Sequence, residues 1–386
     1  MTSHEPVATG DRRKTIGFYT MGSFSHANET LEKLLAVAYP QYKVKRIDLR
    51  DKLSPLDRII NGFTALREYG MDIVSRKRSL KDCMEHTTYF LETTRKIAHR
   101  SFPTDELAFT FQTQSMFDAS REGIPHFLYT DHTHLANLGY PSFNETKLFP
   151  IWWREYERRM YHHADCNFTM SERIARSVRE DYRCPASKVE CVYAGCNLLP
   201  SSTTMLRNRP RGKHILFVGL DWERKGGPVL LEAFKRVLVS HPDAVLSIVG
   251  CVRPSPHPNC KFVGQLPLDE VCEYYRSATV FCMPTRIEPF GHVFIEAMAH
   301  GLPVVGTKIG AIPELIQEGV NGYLVEPDDP TSLAQALCAV LDDPERASAM
   351  GENGRLMVNA RFTWDAVMAL IKNRIDLVLN QKSAAV

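Results

Sequence analysis

The sequence lacks the short motifs that mark several common nucleotide-binding and metal-binding classes. It contains neither a Gly-x-Gly-x-x-Gly fingerprint nor a Walker loop, which disfavours simple dinucleotide dehydrogenases and P-loop hydrolases. It contains no Asp-x-Asp, so a diphosphate held through a metal is not expected. Its ten cysteines include no Cys-x-x-Cys pair and are interpreted as reduced thiols. We therefore expect neither a metal site nor a resident cofactor.

Long apolar runs are also missing. No stretch of about 18 apolar residues could span a membrane, and the polar start of the chain has no signal core. We therefore expect a cytoplasmic protein whose residues 1–13 are disordered. The net charge of +2 does not suggest a nucleic-acid partner. Residues 12–100, however, carry 18 Lys/Arg against 10 Asp/Glu, an excess of +8. This excess fits a solvated surface, an anionic acceptor, or peripheral contact with the inner face of a membrane.

Strand and helix patterns alternate along most of the chain, which predicts an α/β fold with parallel sheets. The segment 198–213 has linker composition and divides two similar halves. We therefore predict two Rossmann-like domains that face each other across a central cleft, residues 1–200 and 201–363. A closing helix, residues 364–386, is predicted to cross back and pack on the N-terminal domain.

Three local predictions concern helices of the N-terminal half. Asn28 is expected to cap the first helix, and Thr169 with Glu172 matches a capping box. A third helix carries five apolar residues on one face, which favours packing against the core over lying on a membrane by about three to one. It remains the best candidate for membrane contact. Its apolar residues are Leu56, Ile59, Ile60, Phe63 and Leu66.

The stretch 285–296 combines a turn, a helix start and two carboxylates. An apolar strand precedes it, and its Pro-Phe-Gly turn ends at Gly291, where a helix begins. Free backbone N–H groups and the helix dipole make such a terminus a phosphate site. Glu288 lies in the loop, and Glu296 lies about one and a half turns into the helix. We expect one carboxylate on each side of a bound diphosphate.

A second candidate loop opens the C-terminal half. A strand ends at Gly219, and Arg224 and Lys225 follow just before a glycine pair and a helix. A guanidinium fork beside a point charge suits a diphosphate. Taken alone, the loop fits a basic surface turn equally well. In the N-terminal half, Asp131, His132 and His134 follow a predicted strand, where open α/β sheets bind ligands.

Several of these segments together resemble the retaining glycosyltransferases of family 4, which have the GT-B fold. The resemblance spans roughly residues 219–365. It is carried by Arg224-Lys225-Gly226, by Glu288-Pro-Phe-Gly with Glu296-Ala-Met-Ala, by Gly310-Ala-Ile-Pro-Glu314, and by Gly319-x-Asn-Gly322. The chain departs from the family pattern at Leu220, where arginine is common, and in the first loop, where Gly22 stands alone.

The resemblance implies a role for each matching position. Glu296 would hold the ribose, the helix start would hold the distal phosphate, and Glu288 would contact the donor sugar. Arg224 and Lys225 would neutralise the leaving diphosphate, and His132 would reach the sugar from the other domain. The implied catalytic residues are His132, Arg224, Lys225 and Glu288. The implied donor-binding residues are Gly22, Gly219, Val263, Phe290, Gly291, His292, Val293 and Glu296.

The function implied is metal-independent, retaining transfer of a hexosyl unit from a nucleotide sugar to an acceptor hydroxyl. Uridine is the expected base, and the acceptor, whether sugar, lipid or small molecule, is not readable. Two alternatives stay open at this point. One keeps the fold but performs epimerisation or phosphorolysis, and the other is a non-catalytic subunit that binds sugar nucleotides.

Overall fold

The computed structural model of the protein describes residues 13–200, 212–255 and 257–384. These residues form two parallel sheets of six strands each, one in each half of the chain, so the predicted α/β architecture is confirmed. The predicted disordered start, apart from Arg13, and most of the predicted linker lie outside the described residues. Both therefore stay predictions.

The strands of the first sheet run in the order β2-β1-β3-β4-β5-β6, and those of the second run β12-β11-β10-β7-β8-β9. The bounds in the first sheet are β1 Thr15–Thr20, β2 Lys43–Asp48, β3 Leu107–Thr113, β4 His126–Thr130, β5 Cys166–Thr169 and β6 Val189–Cys191. Those in the second are β7 His214–Val218, β8 Val245–Val249, β9 Cys260–Gly264, β10 Val280–Met283, β11 Val304–Thr307 and β12 Gly322–Val325.

Helices connect the strands and cover both sheets, which explains why the inner strands are almost continuously apolar. In the N-terminal half they are α1 Asn28–Ala38, α2 Pro55–Val74, α3 Leu80–Met84, α4 Thr88–Arg100, α5 Ile151–His163 and α6 Glu172–Glu180. The others are α7 Gly227–Ser240, α8 Leu268–Ser277, α9 His292–Ala299, α10 Ile312–Leu315, α11 Pro330–Asp342, α12 Pro344–Arg361 and α13 Trp364–Ala384.

Each sheet has one point where the strand order reverses. In the first sheet it lies between β1 and β3, and in the second between β7 and β10. Helices leave such neighbours in opposite directions, which opens a crevice at the carboxyl ends of the strands. The loops that follow β7 and β10 are the two loops that carry the predicted phosphate-binding residues. Topology therefore brings together segments more than 60 residues apart.

The last helix, α13, lies against the N-terminal half. The hydroxyl of Tyr39, at the end of α1, donates to Asp376 at 3.0 Å, and Lys382 pairs with Asp165 at 2.9 Å. At its start, the indole N–H of Trp364 donates to Asn197 at 3.1 Å, and Gly195 lies against the indole. The chain thus crosses between its halves twice, with the two crossings in contact.

Both predicted helix caps were wrong. Ala27 occupies the cap position of α1, and the amide of Asn28 instead donates to the carbonyl of Gly22 at 2.8 Å, where it braces the loop after β1. At α6, the hydroxyl of Ser171 accepts the capping bond from Ile174, two residues later than expected. In both cases the path of the preceding loop or strand places a different residue at the cap position from the one that the sequence pattern predicts.

The predicted orientation of α2 was also wrong. Asn61, Ala65 and Tyr69 form its buried face. The Asn61 amide donates to the carbonyl of Met84 at 2.8 Å, and the Tyr69 hydroxyl donates to that of His86 at 2.7 Å. These bonds fix which side of the helix is inside. The apolar face points outward, and its residues are 37–69% exposed: Leu56, Ile59, Ile60, Phe63 and Leu66.

The contact of Gly195 with Trp364 yields a stability prediction. A Cβ at position 195 would overlap the indole and the backbone nitrogen of Trp364. We expect Gly195→Ala to lower the free energy of unfolding by about 1–3 kcal/mol, as overpacking does. Gly70→Ala on α2 is the matched control, because nothing lies within 4 Å of its added Cβ. Urea unfolding of both variants measures the effect, and equal stability of the two would contradict the packing described.

Candidate active site

The loops after β7 and β10 are bonded to each other at the reversal point of the second sheet. The backbone N–H of Arg286 donates to the carbonyl of Arg224 at 2.8 Å, and the hydroxyl of Thr285 donates to the same oxygen at 3.1 Å. Gly226 adopts φ +76°, and a Cβ there would overlap the carbonyl of Pro284. The close approach of the two loops therefore requires glycine at position 226.

Two predicted site residues, Lys225 and Glu288, form a direct ion pair at this junction. Their side chains are only 13% and 9% exposed. Arg224 lies beside them, where its guanidinium donates to the carbonyl of Ile287 at 3.0 Å and to Asp221 at 3.1 Å. Two cations and one carboxylate are thus held at the mouth of the crevice by contacts within the C-terminal half.

The N-terminus of α9 opens at the same point. Gly291 precedes it with φ +108°, a left-handed conformation that suits glycine, and no side chain among the described residues caps the helix. The first N–H groups, at His292 and Val293, point along the dipole toward the crevice. Backbone donors of this kind bind phosphate readily.

Glu296 lies one turn further along α9 and is 8% exposed. The hydroxyl of Tyr275 donates to its carboxylate at 3.2 Å. Burial raises the pKa of Glu296 to about 7, and this single hydrogen bond offsets only part of that effect. The carboxylate is therefore poised between its two protonation states at neutral pH.

His292, one of the predicted donor-binding residues, also brings its side chain to this junction, with both ring nitrogens buried. Neither ring nitrogen has a hydrogen-bond partner among the described residues. Burial lowers its pKa to about 4, and the charges of His26 and Lys225 act in the same direction. Because His26 belongs to the loop after β1, the His292 ring lies where the two halves of the protein meet.

His132 lies in the loop after β4, at the edge of the first sheet that faces this junction. Its Nε2 lies 3.0 Å from Oδ1 of Asn137, and its buried Nδ1 has no partner among the described residues. Burial lowers the pKa of His132 to about 4, so the ring is neutral. If Nε2 carries the proton for the amide oxygen, Nδ1 is left as an acceptor.

A buried carboxylate supports the His132 loop from below. Glu157 on α5 accepts from the backbone N–H of His134 at 3.0 Å and from the hydroxyls of Tyr161 and Tyr182. The Tyr182 hydroxyl in turn accepts from the N–H of Leu135 at 3.0 Å. Sequence reasoning missed this support, since Glu157 reads as one of several charges on a helix.

Asp131, which the sequence placed at a ligand-binding strand end without a specific role, and Tyr140 are further cleft residues. Burial raises the pKa of Asp131 to about 6, and the charge of Glu288 adds to the shift. The buried Tyr140 hydroxyl has no partner among the described residues and lies close to Gly310 of the other half. Asp131 and Tyr140 of the N-terminal half thus lie on the side of the cleft that faces Glu288 and Gly310.

Contacts across the cleft also hold the two halves in their relative positions. The carboxylate of Glu314 on α10 accepts from the backbone N–H groups of Glu172 and Arg173 at 2.7 and 2.8 Å. It thus satisfies the N-terminus of α6 in the opposite half. Within the N-terminal half, the amide of Asn197 donates to the carbonyl of Ser25 at 2.9 Å, close to Gly22 in the loop after β1.

The remaining predicted residues lie at varied distances from this junction. Gly219 follows β7, where its carbonyl accepts from the thiol of Cys251 at 3.0 Å. Gly22 has φ +69°, and its N–H donates to Asp48 at 2.8 Å. Phe290 is 2% exposed and packs beneath the loop, and Val263 is half-buried on the edge strand β9. The roles assigned to these residues stay predictions.

His134 has a structural position. Its Nε2 accepts from the backbone N–H of Phe149 at 2.8 Å, and its ring packs on that of Trp153.

Among the described residues, no three His, Cys, Asp or Glu side chains are grouped so that they could hold a metal ion. Within the same residues, no helix is long and apolar enough to cross a membrane.

Comparisons with known proteins agree with this geometry. Residues 109–198 match the model of Glycosyltransferase Family 4, and residues 212–343 match that of Glycosyl transferases group 1. The second match contains both of the predicted phosphate-binding loops and α9, and the first contains His132.

Curated relatives match part of the chain. D-inositol 3-phosphate glycosyltransferase of Corynebacterium kroppenstedtii is 34% identical over 168 residues, which is 39% of this chain and 37% of the relative. A GDP-mannose-dependent monoacylated alpha-(1-6)-phosphatidylinositol monomannoside mannosyltransferase of Corynebacterium glutamicum is 34% identical over 166 residues, 39% of this chain and 43% of the relative. The chain thus spans less than half the length of each.

Solved structures with the same fold match nearly the whole chain. Sucrose-phosphate synthase from Thermosynechococcus elongatus superposes with a TM-score of 0.66 at 20% identity, over 97% of this chain and all of that one. HepE of Anabaena in complex with UDP-glucose superposes with a TM-score of 0.63 at 16% identity, over 94% of this chain and all of that one. The two matched models together span more than half of the chain, which therefore belongs to the family 4 glycosyltransferases with the GT-B fold.

Proposed function

We propose that the protein transfers a hexosyl unit from a nucleotide-diphosphate sugar to an acceptor hydroxyl, with retention of anomeric configuration and without a metal ion. The observation that carries this proposal is the junction at the second sheet. There the open end of α9, Arg224, and the pair of Lys225 with Glu288 converge on one crevice. Such a set of donors and cations matches a diphosphate that gains charge as it leaves.

The roles within the site follow from their positions. Arg224, Lys225 and the N–H groups of His292 and Val293 bind the diphosphate, and they bind it more strongly as its bond to the sugar breaks. Glu288, at the far side of Lys225, accepts hydroxyls of the donor sugar. Its pairing with Lys225 argues against a free nucleophile at this position and favours attack by the acceptor on the face from which the diphosphate leaves.

The N-terminal half supplies the other wall of the sugar site. The unpartnered Nδ1 of His132 is an acceptor for a sugar hydroxyl, and Glu157 keeps the loop in place. Glu296, on the nucleotide side, accepts both ribose hydroxyls when it is ionised. Before the donor binds, the ion pair of Lys225 with Glu288 prevents either buried charge from standing alone.

Uridine is the base that we propose, in line with the complex of HepE with UDP-glucose. The GDP-mannose named for one relative makes guanosine the competing base. Two relatives are named for phosphorylated inositol or a phosphatidylinositol mannoside. We therefore propose that the acceptor hydroxyl belongs to a phosphate-bearing compound. We also propose peripheral contact between the basic N-terminal half and a membrane.

The donor and the reaction are tested together. Thermal shift with UDP-hexoses and GDP-hexoses should show stabilisation by a UDP-sugar, and a ligand at 100 times its Kd adds about 2.7 kcal/mol. With inositol phosphates and phosphatidylinositol as acceptors, mass spectrometry should detect one added hexose and an equal amount of UDP. NMR of the product should show the anomeric configuration of the donor.

Other outcomes of this experiment distinguish the alternatives. UDP released without any glycosylated product would favour epimerisation or related chemistry on the same fold. Donor binding without release of UDP under any acceptor would indicate a non-catalytic binding subunit. Stabilisation by GDP-sugars alone would replace uridine by guanosine and leave the reaction unchanged.

Arg224 provides a test of catalysis. We expect Arg224→Ala to lower kcat by about 10²–10³, the usual loss when one donor to a developing negative charge is removed. Because its side chain is 37% exposed, folding should be unaffected. Arg253→Ala is the control, since Arg253 is an exposed residue that pairs with Glu223 beside the same loop. Steady-state kinetics should separate the variants, and a wild-type rate in Arg224→Ala would remove this residue from the site.

Glu296 provides a test of donor binding. Because burial raises its pKa to about 7, the carboxylate is increasingly protonated as the pH falls below 7 and loses its capacity to accept from ribose. The affinity for UDP should therefore fall with pH by up to about tenfold per unit below 7 and level off above it. Titration calorimetry measures this dependence.

The matched variant isolates the contribution of this carboxylate. Glu296→Gln should bind UDP more weakly at neutral pH. Its affinity should also depend less on pH, because the UDP phosphate titrates with either protein whereas a glutamine at position 296 does not titrate. Glu296→Ala should bind more weakly still. Identical pH profiles for the wild type and Glu296→Gln would show that Glu296 does not contact the nucleotide.

A further inference from the structure

The outward face of α2 is a continuous apolar surface. Leu56, Ile59, Ile60, Phe63 and Leu66 recur at intervals of three and four, so they lie on one side of the helix. Met71 and Val74, which are 81% and 80% exposed, continue this surface to the end of the helix. At 20 residues the surface is about 30 Å long. Single exposed apolar residues are ordinary, but a contiguous patch marks an interaction site.

The orientation of this helix is fixed by its buried polar side. The Asn61 amide donates to the Met84 carbonyl at 2.8 Å, and its oxygen accepts from the hydroxyl of Thr87. The Tyr69 hydroxyl donates to the His86 carbonyl at 2.7 Å. Rotating α2 to bury its apolar face would leave these groups without partners, at a cost of about 1–3 kcal/mol for each. The apolar face of α2 therefore stays on the surface of the protein, where only another molecule can cover it.

The charges around the apolar face indicate the kind of partner that it binds. All three carboxylates of α2 already accept hydrogen bonds or form an ion pair with neighbouring residues. Asp57 accepts from Ser54 and from Tyr89, Glu68 accepts from Thr88, and Asp72 pairs with Arg78 at 3.0 Å.

The cations around the face reach the solvent. Arg67 lies within it, 3.6 Å from Glu68 but with its side chain 76% exposed, and Arg76 and Lys81 are exposed beyond its C-terminal end. The surface is therefore apolar along its centre and cationic at its margins. Such a helix suits the boundary between acyl chains and anionic headgroups.

We propose that α2 docks the protein on an anionic lipid bilayer, with the helix lying parallel to the surface and its apolar face inserted. Pairing with a second copy is disfavoured, because a twofold contact along this face would bring two Arg67 residues into one apolar interface. Membrane binding itself is independent of the reaction. Its consequence, that a membrane-bound acceptor is delivered to the N-terminal side of the cleft, rests on the proposed function.

Vesicle flotation with the full chain tests the proposal. The protein should float with vesicles of phosphatidylcholine and phosphatidylglycerol. It should bind phosphatidylcholine alone more weakly, by about fivefold for each cation engaged. Ile59→Ser combined with Phe63→Ser should lower the partition coefficient at least about tenfold, because both side chains lose their apolar burial. Arg67→Gln with Lys81→Gln should reduce binding to the anionic vesicles only.

Controls separate insertion from general stickiness and from misfolding. Val239→Ser with Leu356→Ser removes two exposed apolar side chains from the C-terminal half, and this variant should float like the wild type. The α2 residues are exposed, so unfolding curves of all variants should coincide. In a Phe63→Trp variant the fluorescence should shift to the blue when anionic vesicles are added, and Val239→Trp should show no shift.

Several outcomes would overturn the inference. Equal flotation of the wild type and Ile59→Ser/Phe63→Ser would exclude α2 as the docking surface. Dimers that dissociate in the double variant, without vesicle binding by either protein, would assign the face to self-association. Transfer to a soluble acceptor is measured separately. Its absence in the wild type would refute the proposed reaction while leaving the flotation result intact.

Discussion

The ion pair between Lys225 and Glu288 is the interaction on which the arrangement of the cleft depends. It joins the loops after two strands that are neighbours in the sheet but far apart in the chain, at the point where the strand order reverses. Removing either partner would leave an unpaired charge in a nearly buried position, which is strongly unfavourable. The pair therefore holds the two loops together and keeps both charges at the crevice where the sugar diphosphate is proposed to bind.

Glycine makes this close junction possible. Gly226 lies against the carbonyl of Pro284 and Gly310 against that of Glu288, so any side chain at either position would push the site apart. The cleft is then narrowed by contacts between the halves, chiefly Glu314 on the N-terminus of α6. Since carboxylates and helix N-termini attract each other, this contact favours a closed arrangement of the two halves. A donor enclosed there would be shielded from water on most sides.

The helix α2 shows that a residue pattern alone does not reveal which side of a helix faces the core. Its apolar residues have the spacing of an amphipathic helix, and such a face ordinarily packs against the core. Here the buried side is instead chosen by Asn61 and Tyr69, whose partners are backbone carbonyls at the end of α3 and in the turn that follows it. The face that a soluble helix would hide is thereby placed on the surface of the N-terminal half.

The sequence by itself determined the alternation of strands and helices, both parallel sheets, and the local features for which phosphate binding is proposed in the loops around Arg224 and Gly291. These features depend on local periodicity and on short motifs whose chemistry is carried within a few residues. Tertiary structure decided everything that requires two distant segments to meet. It paired Lys225 with Glu288, placed Asp131 and the His292 ring at the boundary of the halves, and assigned Glu157 to support the His132 loop. It also turned α2 outward, because the hydrogen-bond partners that orient a helix lie on other elements and leave no periodic trace in its own sequence.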